Sequence, residues 1–185
     1  MKGNKPLINW NEYFTYDPDE GLLRWKVKLS NRTKIGANAG SIGGHGYQQL
    51  MIFGKRRLAH RVIWEMLNGE ISYGMQIDHI DHNRLNNKIE NLRLVTDLQN
   101  HRNLSMPPKN SSGAMGVSWR KSRNKWVASI RVNNKLKHLG SFENIHEAIE
   151  ARKHAEKFLG FHPNHGAPRL IELVEGNADA KETHG

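Results

Sequence analysis

Residues 75–103 read MQIDHIDHNRLNNKIENLRLVTDLQNHRN. Two Asp-His pairs, Asp78-His79 and Asp81-His82, and six asparagines sit there on a thin apolar skeleton. QIDHI and LRLV have the short apolar runs of strands, and DHNRLNNKIEN connects them. Thr96, followed three residues later by Gln99, has the form of a capping box. It predicts a helix carrying Asn100, Asn103 and Leu104. A unit of about thirty residues buries little apolar surface. The preceding helix and a bound cation are therefore expected to reinforce it.

Working outward, the segment before it reads YQQLMIFGKRRLAHRVIWEMLNG. The pattern predicts a strand, a tight turn at Gly54-Lys55, a second short strand and a helix. In that helix Ala59, Val62, Ile63, Met66 and Leu67 recur at helical spacing, and Gly69 ends it. Further forward, INWNEYF predicts a short helix, DPDEG a turn, and LLRWKVK a strand. Residues 30–46 are rich in Gly and Asn and read as loop.

The chain has 185 residues and a formal charge of +10, from 28 Lys and Arg against 18 Asp and Glu. Residues 109–165 hold 11 basic and 4 acidic side chains, the densest positive block, which suits a polyanion. With no Cys, disulfides, thiolate metal sites and Cys nucleophiles are excluded. A metal would rest on Asp, Glu, Asn or His. No apolar run suits a signal peptide or a membrane span, so a cytoplasmic protein of the host cell that touches no membrane is expected.

Cleaving a phosphodiester needs a base for the attacking water and a cation to offset charge on the phosphate and leaving oxygen. Asp78 is a hard oxygen donor suited to Mg²⁺ or Mn²⁺. His79, next along the strand, points to the opposite face and is free to serve the water. Asn100 on the following helix is placed to close a metal site. Asn91 is placed to tie the loop backbone and orient His79. Two alternatives stay open at this level: Asp81-His82 as the acting pair, and ordinary turn asparagines with no site at all.

The segment resembles the HNH endonuclease family, in its phage and intron-encoded homing branch. The family pattern of Asp-His, then Asn, then a closing His or Asn is matched by Asp78-His79 in IDHI, Asn91 in NNKIENLRLVT and Asn100 in DLQNHRN. The resemblance implies a ββα-metal core at about residues 75–104. There Asp78 and Asn100 would ligate one divalent cation, His79 would be the general base, and Asn91 would orient it. The closing position is Asn rather than His, with His101 and Asn103 as neighbours able to assist. YDPDEGLLRWK and the strand-turn-strand-helix stretch resemble the branch's N-terminal preamble. In that context Lys55, Arg56, Arg57, Arg61 and Arg93 are candidate DNA contacts.

SMPPKNSSGAMG, residues 105–116, is a hinge by composition. Beyond it GVSWRK, KWVASIRVN and KLKHLGSF predict three strands with turns at SRN and NN, followed by the helix NIHEAIEARKHAEKFLG. On the middle strand Trp126, Ala128, Ile130 and Val132 share one face, and Val127, Ser129 and Arg131 share the other. Trp126 is expected at the core rather than among the DNA-reading residues. The stretch resembles the plant ethylene-response-factor domain of the Apetala2 type, in its Gly-Val opening, its Trp and Ala on strand two, and its Leu139-Gly140-x-Phe142 turn. That resemblance implies a sheet lying in the DNA major groove, with Arg120, Lys125 and Arg131 as the basic contacts, and Lys121, clustered with them around the first turn, is a further candidate.

The expectation is an α+β chain: a nuclease domain over 1–106, a linker over 107–114, an Apetala2-like domain over 115–165, and a tail over 166–185 with one apolar patch. Its expected function is a site-preferring, Mg²⁺- or Mn²⁺-dependent homing endonuclease that nicks double-stranded DNA as a monomer. The competing expectation is a DNA-binding or regulatory protein without catalysis.

Overall fold

The computed structural model describes residues 8–31 and 33–168. The extreme N-terminal residues and the apolar patch and polar end expected in the tail lie outside that range. The chain divides between Asp97 and Leu98 into two compact units. Among the described residues no helix is long and apolar enough to cross a membrane.

The first unit begins with a single 3-10 turn at Trp10–Glu12, then the hairpin of β1 (Phe14–Asp17) and β2 (Leu22–Trp25), paired antiparallel. LLRWKVK thus ends its strand at Trp25, earlier than expected. A three-stranded sheet follows, from β3 (Ser41–Ile42), β4 (Gln48–Ile52) and β5 (Lys55–Leu58), with β4 in the middle. The expected loop at 30–46 therefore contains one short strand. The β4–β5 turn is Phe53-Gly54, one residue earlier than the pattern suggested, because both residues take positive φ. That left-handed pair matches the twist of the flanking strands.

Helix α1 (Ala59–Asn68) buries Ala59, His60, Val62 and Ile63 and ends at Gly69. Met66 packs at the margin, while Leu67 is exposed. Strands β6 (Met75–His79) and β7 (Leu92–Thr96) form a two-stranded ladder in which Asp78 faces Arg93 and His79 faces Leu92. Trp10, Phe14, Leu23, Trp25, Ile63 and Leu92 belong to one apolar cluster, so the front hairpin, α1 and the ladder share a core. At roughly 1.5–3 kcal/mol for each large side chain fully buried, this shared core stabilises a ladder too small to stand alone.

The front hairpin also presses on the β6–β7 connection. Gly21 has φ +68, and a Cβ there would lie 2.7 Å from the Lys88 amide nitrogen. The Tyr16 hydroxyl accepts from the Ile89 N–H at 3.0 Å and donates to the Asn87 carbonyl at 3.4 Å.

Helix α2 (Asp97–His101) starts after Thr96 as expected, but it ends at His101. Asn103 and Leu104 therefore lie beyond the helix rather than on it. In the second unit, β8 (Val117–Arg120), β9 (Lys125–Val132) and β10 (Lys135–Phe142) form an antiparallel sheet with β9 central. Asn124, Asn133 and Asn134, all at positive φ, make its turns. Helix α3 (Ile145–Phe158) is capped by Asn144, whose side chain accepts from the His146 N–H. Ala114, Val117, Ala128 and Ala148 form the buried cluster, with Trp126, Phe142 and Ile149 packed against it. Trp126 is therefore a core-edge residue, as its strand position suggested.

Arg152 of α3 is buried and ion-paired to Glu156 at 2.7 Å, and it donates to the Ser129 carbonyl. The expected hinge is tied down locally. Ser112 Oγ lies 2.9 Å from the Ala114 carbonyl oxygen and 2.8 Å from that of Val117, either of which can accept its one proton, and Asn110 Oδ1 accepts from the Ser112 N–H.

Replacing Gly21 and Gly36 separately by Ala tests the hairpin contact. Gly36 has φ +79 with open space at its Cβ position. Gly36→Ala should cost about 1 kcal/mol in denaturant unfolding of the first unit, and Gly21→Ala about 3 kcal/mol. Equal costs would show that the hairpin does not bear on the connection.

Candidate active site

The connection between β6 and β7 runs over residues 80–91 with only a 3-10 turn at Ile89–Asn91 for regular structure. Its backbone needs partners, and short polar side chains supply them. The Asp81 carboxylate accepts from the Asn83 N–H at 2.8 Å, from Asn91 Nδ2 at 2.8 Å and from Asn86 Nδ2 at 2.7 Å. Asn91 Nδ2 donates also to the Asn86 carbonyl at 2.8 Å, and its Oδ1 accepts from the Asp81 N–H at 3.1 Å. Asn83 Oδ1 accepts from the Leu85 N–H. The Ile80 N–H donates to the Asn91 carbonyl at 2.9 Å, closing the base of the loop. The asparagine-rich composition is thus a substitute for regular hydrogen bonding.

At the end of β6 the two expected site residues diverge. Asp78 accepts from Arg93 Nε at 3.0 Å and Nη2 at 2.8 Å, both on Oδ2, across the ladder. His79 is buried, and its Nε2 lies 2.9 Å from Asn87 Oδ1. Its ring meets His60 edge-on at 4.9 Å between centroids and Tyr47 at 5.9 Å. Burial pushes the His79 imidazole below its usual range, and the Asn87 hydrogen bond opposes that shift. The ring is therefore neutral at neutral pH, the state a proton acceptor needs.

Asn91 binds the loop rather than the ring: its side-chain bonds run to Asp81 and Asn86, and its carbonyl anchors Ile80. Asp81 is committed to the loop in the same way, and His82 is buried at positive φ. Asn100 and His101 lie on α2 and Asn103 beyond it, all three in the second unit.

Among the described residues no group of three or more His, Asp or Glu stands ready to hold an ion. Of the described residues Asp78 alone offers a carboxylate, a hard oxygen donor, at this point. A magnesium-type site commonly takes one or two carboxylates and completes itself with water and substrate phosphate. Asp78 is a buried carboxylate oxygen donor already neutralised by a cationic side chain, which shows that the position accommodates positive charge.

Lys55 and Arg56 are exposed on β5, whereas Arg57 is half-buried with its guanidinium 5.8 Å from the Trp10 ring centroid. Arg61 is half-buried on α1. On the second unit the register places Arg120, Lys125 and Arg131 on one face of the sheet, with Ser118, Val127 and Ser129. The other face carries Val117, Trp126 and Ala128 to the core. Lys121 lies in the turn after β8, and Trp119 is 40% exposed, edge-on to Trp126.

Reading of the sequence missed Gln48, Asn87, His60 and Tyr47. Gln48 carried a usable signal, since it falls on the inward alternation of β4 with Leu50 and Ile52. His60 falls within the apolar face of α1. Asn87 is one asparagine among many.

A family model described as HNH endonuclease matches residues 57–102. Protein 3.8 of Escherichia phage T7 is 41% identical over 83 residues, which are 45% of this chain and 69% of that protein. The chain belongs to the HNH endonuclease family. The uncharacterized HNH endonuclease L560 of Acanthamoeba polyphaga mimivirus is 41% identical over 98 residues, 52% of this HNH chain and 49% of that protein. The solved structure of the HNH homing endonuclease I-HmuI aligns with 68% of the chain and 71% of its own, at 23% identity and a TM-score of 0.40. The HNH match takes in β6, β7 and the connection that Asp81 organises.

His60 offers a stability test. Its pKa is lowered from 6.5 to about 3, first by burial, then by His79 and Arg61. A folded value below the unfolded one means that the neutral ring favours the fold above pH 6.5, and that this stability is lost as pH falls toward 3. The His79 shift has the same sign. Unfolding of the β6–β7 ladder, followed through its amide signals, should therefore lose up to about 1.4 kcal/mol per pH unit for the His60 proton. His60→Phe should flatten the dependence; an unchanged slope would place the ring in water.

Proposed function

We propose that the protein is a divalent-metal-dependent DNA endonuclease that nicks duplex DNA, as a homing-type enzyme of the HNH family. The observation that carries this reading is a buried, neutral imidazole, His79, next in sequence to a buried carboxylate, Asp78, inside the family-matched segment. His79 takes a proton from water. The water oxygen attacks phosphorus in line with the 3′ oxygen, the P–O3′ bond breaks, and the products are a 5′-phosphate and a 3′-hydroxyl. A bound Mg²⁺ or Mn²⁺ supplies neutralisation of charge on the phosphate and leaving oxygen. In this reading Asp78 would hold that cation, and Asn91 orients His79 by holding the loop from which the base is presented.

The second unit acts as the duplex-holding module. This role is what the Apetala2-type resemblance implies for a three-stranded sheet packed on one helix. The polar face bearing Arg120, Lys125 and Arg131 is the surface that a major groove would receive, with Lys121 beside it. Lys55 and Arg56 on β5, with Arg57 and Arg61, add phosphate contacts from the first unit. Arg93, paired with Asp78, is the remaining candidate phosphate contact of that unit.

A second reading, a DNA-binding protein without catalysis, is favoured by the Arg93–Asp78 pair itself, which satisfies the carboxylate without any cation. Supercoiled plasmid with Mg²⁺ or Mn²⁺ separates the two. The parent should nick it, and His79→Ala should lose about a hundredfold or more of the rate while binding DNA normally. Equal rates for parent and variant, or no nicking with either cation, would favour the second reading.

Changing Arg120, Lys125 and Arg131 together to Ser should lower the slope of log affinity against log salt by about 2–3, on the scale of one counterion per phosphate contact. An unchanged slope would remove that face from the interface.

A further inference from the structure

Three side chains in the first unit form a single file. Gln48 Nε2 lies 3.1 Å from the Ala39 carbonyl oxygen. Asn87 Nδ2 lies 3.2 Å from Gln48 Oε1. His79 Nε2 lies 2.9 Å from Asn87 Oδ1. All three residues are buried, Asn87 completely, so water does not substitute for a misaligned member.

The direction of this file follows from its anchor. A backbone carbonyl has no proton to give, so the Gln48 amide must turn its NH₂ toward Ala39. Its oxygen then faces Asn87 and requires the Asn87 NH₂. The Asn87 oxygen is left facing the imidazole and accepts only from an N–H. Reversing any amide would place two acceptors or two donors in contact in a dry site, at the penalty of unsatisfied buried groups. The Asn87 backbone is itself held, its N–H donating to the Leu85 carbonyl at 3.0 Å and its carbonyl accepting from Tyr16.

We propose that Gln48 and Asn87 are positioning residues that fix His79 in the Nε2–H tautomer, leaving the Nδ1 lone pair as its basic nitrogen. The file is a chain-borne orienter distinct from Asn91, whose side chain serves the loop. A neutral histidine acts as a base only through its unprotonated nitrogen, so a file that selects the tautomer selects which edge of the ring takes the proton. The catalytic meaning of this assignment rests on the nuclease reading above. The tautomer itself does not.

The test uses the full-length, metal-free protein with ¹⁵N-labelled histidine at pH 7.5. Long-range ¹H–¹⁵N correlations of the His79 ring are assigned by their loss in His79→Ala. In the parent, Nε2 should resonate in the protonated range and Nδ1 in the unprotonated range, with one tautomer dominant by about tenfold or more. Gln48→Leu removes the latch and lets the Asn87 amide turn. Asn87→Leu removes the acceptor. Both should draw the two nitrogen shifts toward each other, and should lower kcat for nicking while leaving KM for DNA in place.

A parent ring protonated at Nδ1 overturns the proposal without recourse to any variant. So does a folded Gln48→Leu protein whose His79 shifts are those of the parent. A parent with the Nε2–H tautomer and no nicking under Mg²⁺ or Mn²⁺ leaves the file standing and removes the nuclease reading. Nicking by a parent with the opposite tautomer does the reverse.

Discussion

One carboxylate organises the segment on which the rest depends. Asp81 gathers a backbone N–H and two asparagine amides, and through them a connection lacking regular structure holds one shape between β6 and β7. Charge-assisted hydrogen bonds of this kind contribute roughly 1.5–3 kcal/mol each, enough to order a loop that burial alone would leave loose. The front hairpin reinforces it through the close approach at Gly21 and the Tyr16 hydroxyl. His79 stands at the start of this loop, so its position depends on the loop's shape, through Asn87 which it touches and through Asp81 which holds the loop.

The ladder gives two adjacent side chains opposite surroundings. Successive residues of a strand leave on opposite faces. Asp78 is accordingly turned to Arg93 and His79 to Asn87, His60 and Tyr47. On one side a carboxylate carries negative charge balanced by a guanidinium. On the other a desolvated imidazole is kept neutral, with a second neutral imidazole against it. A single strand end thus presents a paired carboxylate and a neutral imidazole within one peptide unit.

Much of this was readable in the amino-acid sequence, and the failures have physical causes. Helix α1, β2, β4 to β7 and the strands of the second unit follow from periodicity, whereas β1 begins in the stretch read as a short helix and β3 lies in the stretch read as loop. The turn at Phe53-Gly54 was displaced by one residue because a Phe at positive φ is rare, and no local pattern announces it. Helix α2 closes after His101, before Asn103, since five residues lack the length to carry a helix by propensity. Asn91 was visible as a loop-tying residue, whereas Asp81 was read only as a member of an alternative acting pair, and the partners of His79 were not visible. Gln48 and Asn87 are 39 residues apart and meet only through the fold; a hydrogen bond of that range leaves no spacing to read.

The second unit applies the same division to a sheet. Alternation along β8 and β9 sends Val117, Trp126 and Ala128 to α3 and leaves Arg120, Lys125 and Arg131 together on the opposite face. Core and candidate interface are therefore encoded by one period of two. The account as a whole turns on Asp78 taking a cation beside an imidazole that faces substrate. An anomalous diffraction map of the protein with Mn²⁺ and duplex DNA examines this directly. It should show a peak at about 2.1–2.2 Å from an Asp78 carboxylate oxygen, the distance of a small hard cation, with His79 Nδ1 turned to a DNA phosphate. Manganese lying elsewhere, with Arg93 still on Asp78 and the imidazole turned away from the DNA, would contradict it.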